Sequence, residues 1–485
     1  MQKPHHIHFI GICGVAMSAL AIALHKKGYK ITGSDKGFFP PVSEHLKNAG
    51  VEYYPGWHVD QMTKDGNPDL VVVGNVAGSN NSEWLYVQKN NLPYVSYPEL
   101  IKKYFVKKKS IVCAGTYGKT TSASLLTWIL KENGYDPSYM FGGISLNEID
   151  AAHLSDSSSP FPFVRGGVRG RVVGEYSVLE GDEYKSARWD NRPKFAHYSP
   201  THLLLTSVDW DHADVYPTET LYNEAFQNLI DGLPENGVLV VSEEVDKIKR
   251  LKDYKIIRYG AGKNNDYQYR NISMIKEGVR FEIKFQSFNL SIFQSFNLQS
   301  SLAGDFIPKI ITGCFAMAHQ IGIEPAGIIK AIASWKGLKR RLEKRLDKPI
   351  TVFDDIAHSP AKARAVLATV RRLYNGRITT IFEPNTGNRK QESIPGYANA
   401  FNDADEIIIP RLTQIKIAKD DPSPPCDGEK LAEVISATHG SVRYIDDDEK
   451  LVQYIVDNAS DGDVVVFMGS HGFRGMIEAL IKQIK

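Results

Sequence analysis

The chain has 485 residues and a net charge of +2, enough length for about three domains of ordinary size. That charge balance excludes a global attraction to nucleic acid or to an acidic membrane surface, and no apolar run is long enough to span a bilayer. Its four cysteines (Cys13, Cys113, Cys314, Cys426) are scattered without metal or disulfide spacing, which points to a reducing compartment. No signal peptide is expected, and the expected location is the cytoplasm.

The first expected domain covers about 1–105. His5–Ile10 reads as a strand, Gly11–Gly28 as a Gly-rich turn entering a helix, and YKITGSD as a second strand ending at Ser34-Asp35. This is the start of a dinucleotide-fold βαβ unit: Gly11 and Gly14 make the tight turn, and Asp35 stands where a ribose-binding acid belongs. G-x-C-G-x-x-M replaces the regular G-x-G-x-x-G, and taken alone the turn would suggest an NAD oxidoreductase. Cys13 and Met17 read as packing residues of the turn and helix. Asp69–Asn75 and Pro93–Tyr97 are further strand signals. The basic run Lys102–Lys109 reads as a solvated linker rather than a nucleic-acid patch.

The second expected domain covers about 106–335 and opens on SIVCAGTYGKTT (Ser110–Thr121). A short apolar strand, a Gly turn and a helix beginning at Lys119-Thr120-Thr121 place backbone N–H groups before a bound anion. Gly115, Thr116 and Gly118 shape the turn; Lys119 would reach the outer phosphates of a nucleotide and the Thr120 hydroxyl would meet Mg²⁺. Cys113 occupies the position of the first P-loop Gly, so the match is partial. Ala151–Arg171, rich in Ser, Pro, Gly and Arg, reads as a surface loop. Next come two strands with acidic C-terminal ends. One carries Glu180, Asp182 and Glu183; the other carries Asp209, Asp211, His212 and Asp214. Crowded carboxylates call for a cation or exposure; a lone His212 would more often be structural, but in this company it reads equally as ligand or as structural histidine. FQSFNL occurs twice, at Phe285–Leu290 and Phe293–Leu298; both copies read as strands of a hairpin or local duplication.

The third expected domain covers about 336–485. Ile350–Pro360 is a strand followed by Asp354, Asp355 and His358, and three later apolar strands alternate with helices, which indicates another mostly parallel sheet. GSHGFRGM (Gly469–Met476) is a Gly-rich turn into a helix.

AGTYGKTT, EGDEY, D-x-DHAD, KRRLE (Lys339–Glu343) and DDIAHSP, in that order, resemble the Mur ligases, the ATP-dependent amide ligases of peptidoglycan precursor synthesis. GICGVAMSALA and GSD resemble the branch that takes UDP-N-acetylmuramate itself, which holds an L-alanine-adding ligase and a recycling ligase adding an intact tripeptide. EGDEY and KFAHYSP (Lys194–Pro200) are closer to the tripeptide ligase.

The resemblance implies an α/β fold of three domains: a Rossmann-like N-terminal domain for the UDP-sugar, a P-loop ATP-binding central domain, and a Rossmann-like C-terminal domain that binds the incoming amine. By position, Gly11, Gly14, Ser34 and Asp35 serve the UDP-sugar. Gly115, Thr116, Gly118, Lys119, Thr120 and Thr121 serve ATP. Thr120, Glu180 and His212 serve Mg²⁺. Lys119, Glu180, His212, Arg341, Asp355 and His358 carry the chemistry. The implied reaction joins UDP-N-acetylmuramate to L-alanine or an L-alanine-headed peptide through an acyl phosphate. The alternative is a degenerate relative that binds precursor or nucleotide without turnover. Departures from the family pattern are Tyr117 for a common His, Ser207 for an Asn, and Ser359 for the second His of A-H-H-P. In addition, EPNTGN (Glu383–Asn388) replaces an Arg-containing loop, and DFIPKI (Asp305–Ile310) stands where adenine-contacting amides are usual. Oligomeric state is left open.

Overall fold

The computed structural model describes residues 5–38, 42–75, 77–156, 172–212, 215–245, 255–286, 293–413 and 424–484. Asp214, most of the Ala151–Arg171 stretch and the end of the first FQSFNL copy lie outside the described residues. Contacts divide the chain into two compact units: Met1–Ile272 with Phe281–Gln299 and Pro308–Gly337, and Ser273–Arg280 with Ser300–Ile307 and Leu338–Lys485.

The first unit begins with a five-stranded parallel sheet of β1 (His6–Ile10), β2 (Lys30–Asp35), β3 (Glu52–Pro55), β4 (Leu70–Val73) and β5 (Tyr94–Ser96), in the order β3-β2-β1-β4-β5. β1 and β4 are buried at every position. Helices cover both faces of such a sheet, so its central strands are continuous apolar runs rather than alternating ones. The helix Val15–His25 packs Leu20, Ala21 and Leu24 into this core. Strand order reverses between β1 and β4, and in open α/β sheets ligands sit in the crevice at that reversal.

The basic run at Lys102–Lys109 is not a linker. The helix Tyr97–Tyr104 runs through its start behind a Ser96/Glu99 capping box, Phe105 is wholly buried, and the strand Lys109–Ala114 begins at the run's end. Lys102 and Lys103 stand on the last helical turn, where cations offset the exposed carbonyls.

The same unit holds a ten-stranded sheet, apart from short ends of its last three strands. Its strands are β6 (Lys109–Ala114), β7 (Tyr135–Met140), β8 (Ala152–His153), β9 (Val172–Gly181), β12 (His202–Leu205), β13 (Val238–Ser242), β14 (Lys255–Gly260), β15 (Tyr267–Ile275), β16 (Gly278–Gln286) and β17 (Phe293–Ser300). Strands β10 (Lys185–Ala187) and β11 (Asp190–Pro193) form a separate antiparallel ribbon. The second FQSFNL copy opens β17, which neighbours β16. The sheet lies in the order β17-β16-β15-β14-β13-β12-β6-β9-β7-β8, so β6 sits between β12 and β9, both parallel to it. Register then fixes what meets at the carboxyl ends: Cys113 pairs with Glu180, and Ala114 with both Gly181 and Leu205.

The second unit has a six-stranded sheet of β18 (Glu343–Leu346), β19 (Thr351–Asp355), β20 (Ile378–Glu383), β21 (Glu406–Pro410), β22 (Val442–Ile445) and β23 (Val464–Gly469), ordered β18-β19-β23-β20-β21-β22. Only the edge strand β18 is antiparallel. The α/β fold that the resemblance implies is therefore present, and so is the mostly parallel sheet expected of the third domain from its alternating strands and helices.

Candidate active site

The turn after β6 is built by two glycines with positive φ, +138° at Gly115 and +82° at Gly118. A Cβ on Gly115 would overlap Thr206 Oγ1 and lie 2.8 Å from the Ser207 backbone, so no other residue fits. The loop after β12 is laced to the turn. The Thr116 N–H donates to Ser207 O (3.2 Å), Tyr117 N–H donates to Ser207 Oγ (3.0 Å), and Thr206 Oγ1 donates to Tyr117 O (2.5 Å). Thr116 Oγ1 donates to Asp209 O and accepts from Asp209 N, both at 2.8 Å, and lies 2.9 Å from the Tyr222 hydroxyl. Ser207, which replaces the family's Asn, thus still ties the two loops together.

Gly118 is the N-cap of the helix Lys119–Glu132 and supplies no side-chain hydrogen bond, so the first N–H groups of that helix retain their anion-binding capacity. Lys119 leads the helix. Its ammonium lies 2.8 Å from Glu183 Oε2 and 3.0 Å from Oε1, and donates to Thr116 O at 3.3 Å. Glu183 is 1% exposed. Thr120 Oγ1 donates to Glu180 Oε1 at 2.6 Å, and Gly142 N–H donates to Glu180 Oε2 at 2.6 Å. Thr120 and Glu180 therefore bring a hydroxyl and a carboxylate oxygen together, the hard oxygen donors that Mg²⁺ prefers.

His212 has φ +57° and directs Nε2 to Glu183 Oε1 at 3.5 Å, and the Tyr184 ring stands edge-on to it. The Glu183 carboxylate raises the pKa of His212 above its ordinary value. Among the described residues, no group of three His, Cys, Asp or Glu side chains gathers as a metal site by itself. Glu183 is the residue that motif reading passed over. Its signal was present in the crowding of EGDEY, but its partner was not visible. Asp182, next to it, turns instead to Lys194 at 2.5 Å; burial pushes its pKa up, and the Lys194 ion pair outweighs burial and holds it below the usual carboxylate range.

In the N-terminal sheet, Gly11 has φ +90° and donates to Ser34 O at 2.8 Å. Gly14 has an ordinary φ of −61° as N-cap of the helix Val15–His25, so the turn's strain falls on Gly11 alone. Asp35 Oδ2 accepts the Cys13 N–H (2.9 Å) and Oδ1 the Lys36 N–H (2.7 Å). Asp35 thus stiffens the turn it was expected to serve. Ser34 is buried, and its hydroxyl donates to Glu83 Oε2 at 2.5 Å.

In the second unit, Asp355 accepts N–H bonds from Leu342 (2.6 Å) and Ala357 (2.7 Å). Burial raises its pKa against the pull of those two donors. Arg341 is exposed, and His358 Nδ1 lies 2.7 Å from Ile356 O. Ser359 caps the helix Pro360–Leu373 through Lys362 N–H. Asp305–Ile310 opens the helix Phe306–Gln320; Asp305 pairs with Arg372, and Ile310 lies in van der Waals reach of Gly118. The predicted residues thus fall into three groups: the first Gly turn, the P-loop with its two acidic strand ends, and the β19 end.

Three family models match the chain: "Mur ligase family, catalytic domain" over 6–108, "Mur ligase middle domain" over 113–307, and "Mur ligase, glutamate ligase domain" over 340–471. The chain is 28% identical to the Escherichia coli UDP-N-acetylmuramate–L-alanyl-γ-D-glutamyl-meso-2,6-diaminoheptandioate ligase, covering 98% of this chain and 97% of that one. It is 29% identical to the Bartonella bacilliformis UDP-N-acetylmuramate–L-alanine ligase, covering 99% and 96%. The solved murein peptide ligase of Psychrobacter arcticus superposes with a TM-score of 0.71 at 26% identity, covering 99% and 98%. The Thermotoga maritima UDP-N-acetylmuramate-alanine ligase shares the fold with a TM-score of 0.75 at 22% identity, covering 99% and 98%.

Proposed function

The chain belongs to the Mur ligase family, as an ATP-dependent amide ligase of peptidoglycan precursor synthesis or recycling, and we propose that it acts on UDP-N-acetylmuramate. The amine partner in this reading is L-alanine or an L-alanine-headed peptide. The observation that carries it is the P-loop in which Lys119, Thr120, Glu180, Glu183 and His212 converge at the ends of β6, β9 and β12. That convergence favours turnover over a degenerate binding role. The 1–105 segment takes the UDP-sugar, 106–335 takes ATP, and 336–485 takes the amine. The reaction belongs to the cytoplasm; among the described residues no helix is long and apolar enough to cross a membrane.

A carboxylate is a poor acyl donor, so the lactyl carboxylate oxygen attacks the γ-phosphorus of ATP, the bond to the β-phosphate oxygen breaks, and ADP leaves. The amine then attacks the carbonyl carbon, loses a proton, and expels phosphate as the amide forms. Lys119 and the N–H groups at the start of its helix stabilise the negative charge spreading over the transferred phosphoryl group. Mg²⁺ would be held by Thr120 and Glu180 and, as the resemblance implies, by His212, and would offset charge on the phosphate oxygens. Gly115 and Gly118 let the backbone close onto phosphate, and the Thr116–Asp209–Tyr222 bonds keep the loop from rearranging when it does.

The test is phosphate release from ATP and Mg²⁺ with UDP-N-acetylmuramate, adding L-alanine in one reaction and L-Ala-γ-D-Glu-diaminopimelate in another. Release that needs the acid and one of the amines supports the proposal, and the preferred amine names the acceptor. No release with either, from folded protein, overturns it.

A further inference from the structure

Glu183 is buried, charged, and placed against two side chains of the nucleotide site at once. Its carboxylate lies 2.8 Å from the Lys119 ammonium and 3.5 Å from His212 Nε2. The backbone behind it is also fixed: the Tyr216 hydroxyl donates to Glu183 O at 2.6 Å, and the Tyr216 ring packs edge-on against Tyr222, which reaches Thr116 of the P-loop. A carboxylate 1% exposed is stable only while paired, and without that counter-charge Lys119 keeps only its 3.3 Å bond to Thr116 O.

We propose that Glu183 is a positioning residue for the phosphoryl-transfer step: a built-in counter-charge that holds Lys119 and His212 at the phosphate site and competes with bound phosphate for Lys119. When nucleotide enters, the ammonium is shared between phosphate and Glu183, and His212 keeps the buried carboxylate partnered. Two opposing effects follow. The fixed anion repels the nucleotide and weakens its binding, while the geometry it enforces speeds transfer. This rests on the ligase reading above, but nucleotide binding can be measured without acid substrate, so the two can fail separately.

The experiment compares the full-length protein with its Glu183→Gln variant. MgATP binding is measured by calorimetry without acid substrate, and kcat and KM in the ligation assay. The expected result is MgATP bound at least as tightly as by the parent, kcat down by about tenfold or more, and an unchanged KM for UDP-N-acetylmuramate. Parent-like kcat, or MgATP binding weakened by about tenfold or more, overturns the proposal; the latter would make Glu183 a ligand of the bound nucleotide complex. If Glu183→Gln does not fold, Glu183→Asp keeps the charge and shortens its reach. A kcat loss with unchanged MgATP affinity is then expected, and parent-like kcat overturns the proposal. Absence of ligation by the parent protein would defeat the ligase reading while leaving the binding comparison intact.

Discussion

Two strand–glycine–helix turns sit in the first unit, one after β1 and one after β6, and they differ in how the turn is held. At the first, Gly11 bears the positive φ and the Asp35 carboxylate accepts a turn N–H. In both, no side chain caps the following helix and its first turn carries no acidic residue. At the second, two glycines have positive φ, and the first two helical side chains, Lys119 and Thr120, are tied to carboxylates on the neighbouring strand and its loop. The first is a backbone cradle suited to a bound anion that does not react. The second carries a side-chain cation set against a buried counter-charge, which suits an anion being transferred. Topology alone does not separate them; the flanking strand does.

The comparison breaks most sharply at Lys119. Lys119→Ala should lower kcat by about 10³-fold, measured by phosphate release, since it removes charge stabilisation of the transferred group. It should also destabilise the fold by about 1–3 kcal/mol in denaturant unfolding, because Glu183 keeps only His212 as a partner. Gly115→Ala comes next. Positive φ and overlap with Thr206 and Ser207 should together destabilise the protein by about 2–4 kcal/mol in thermal or denaturant unfolding.

The first turn should respond more gently. Asp35→Ala removes the acceptor for the Cys13 N–H and should lower stability by about 1 kcal/mol while raising KM for UDP-N-acetylmuramate, with KM for ATP unchanged. Gly14→Ala is the mildest. A Cβ there meets nothing closer than 3.5 Å, so stability should stay within about 1 kcal/mol, and any rise in KM for the UDP-sugar reports backbone approach by ligand.

A pH measurement sharpens the same contrast between structural and reactive polar groups. Burial lowers the pKa of His6 and of His202 from 6.5 to about 4. Both are neutral when folded and charge on unfolding, so their contribution is intact above pH 6.5 and is lost as pH falls from 6.5 toward 4. Unfolding free energy should therefore rise between pH 5 and 7, and His6→Gln should flatten that slope.

Much of this was legible in the residues. Apolar strands followed by Gly turns marked β1 and β6, and acidic strand ends marked Glu180 and His212. The basic run at Lys102–Lys109 misled because charge says nothing about the apolar residues between the lysines, and Phe105 is buried. The β10–β11 ribbon has a long-range contact that local sequence does not show: Trp189 at its tip stacks on Trp84, 5.2 Å between centroids and far away in sequence.

Local sequence determined the elements and the residue types of the site, because strand burial, turn conformation and helix initiation depend on neighbours a few residues away. Only the tertiary structure decided the pairings. β6 lies between β9 and β12 in parallel register, and that register sets Glu180 beside Cys113 and brings the loops of Glu183 and His212 to Lys119. A carboxylate's partner depends on which strand lies alongside, and long-range strand pairing is settled by the packing of the whole sheet.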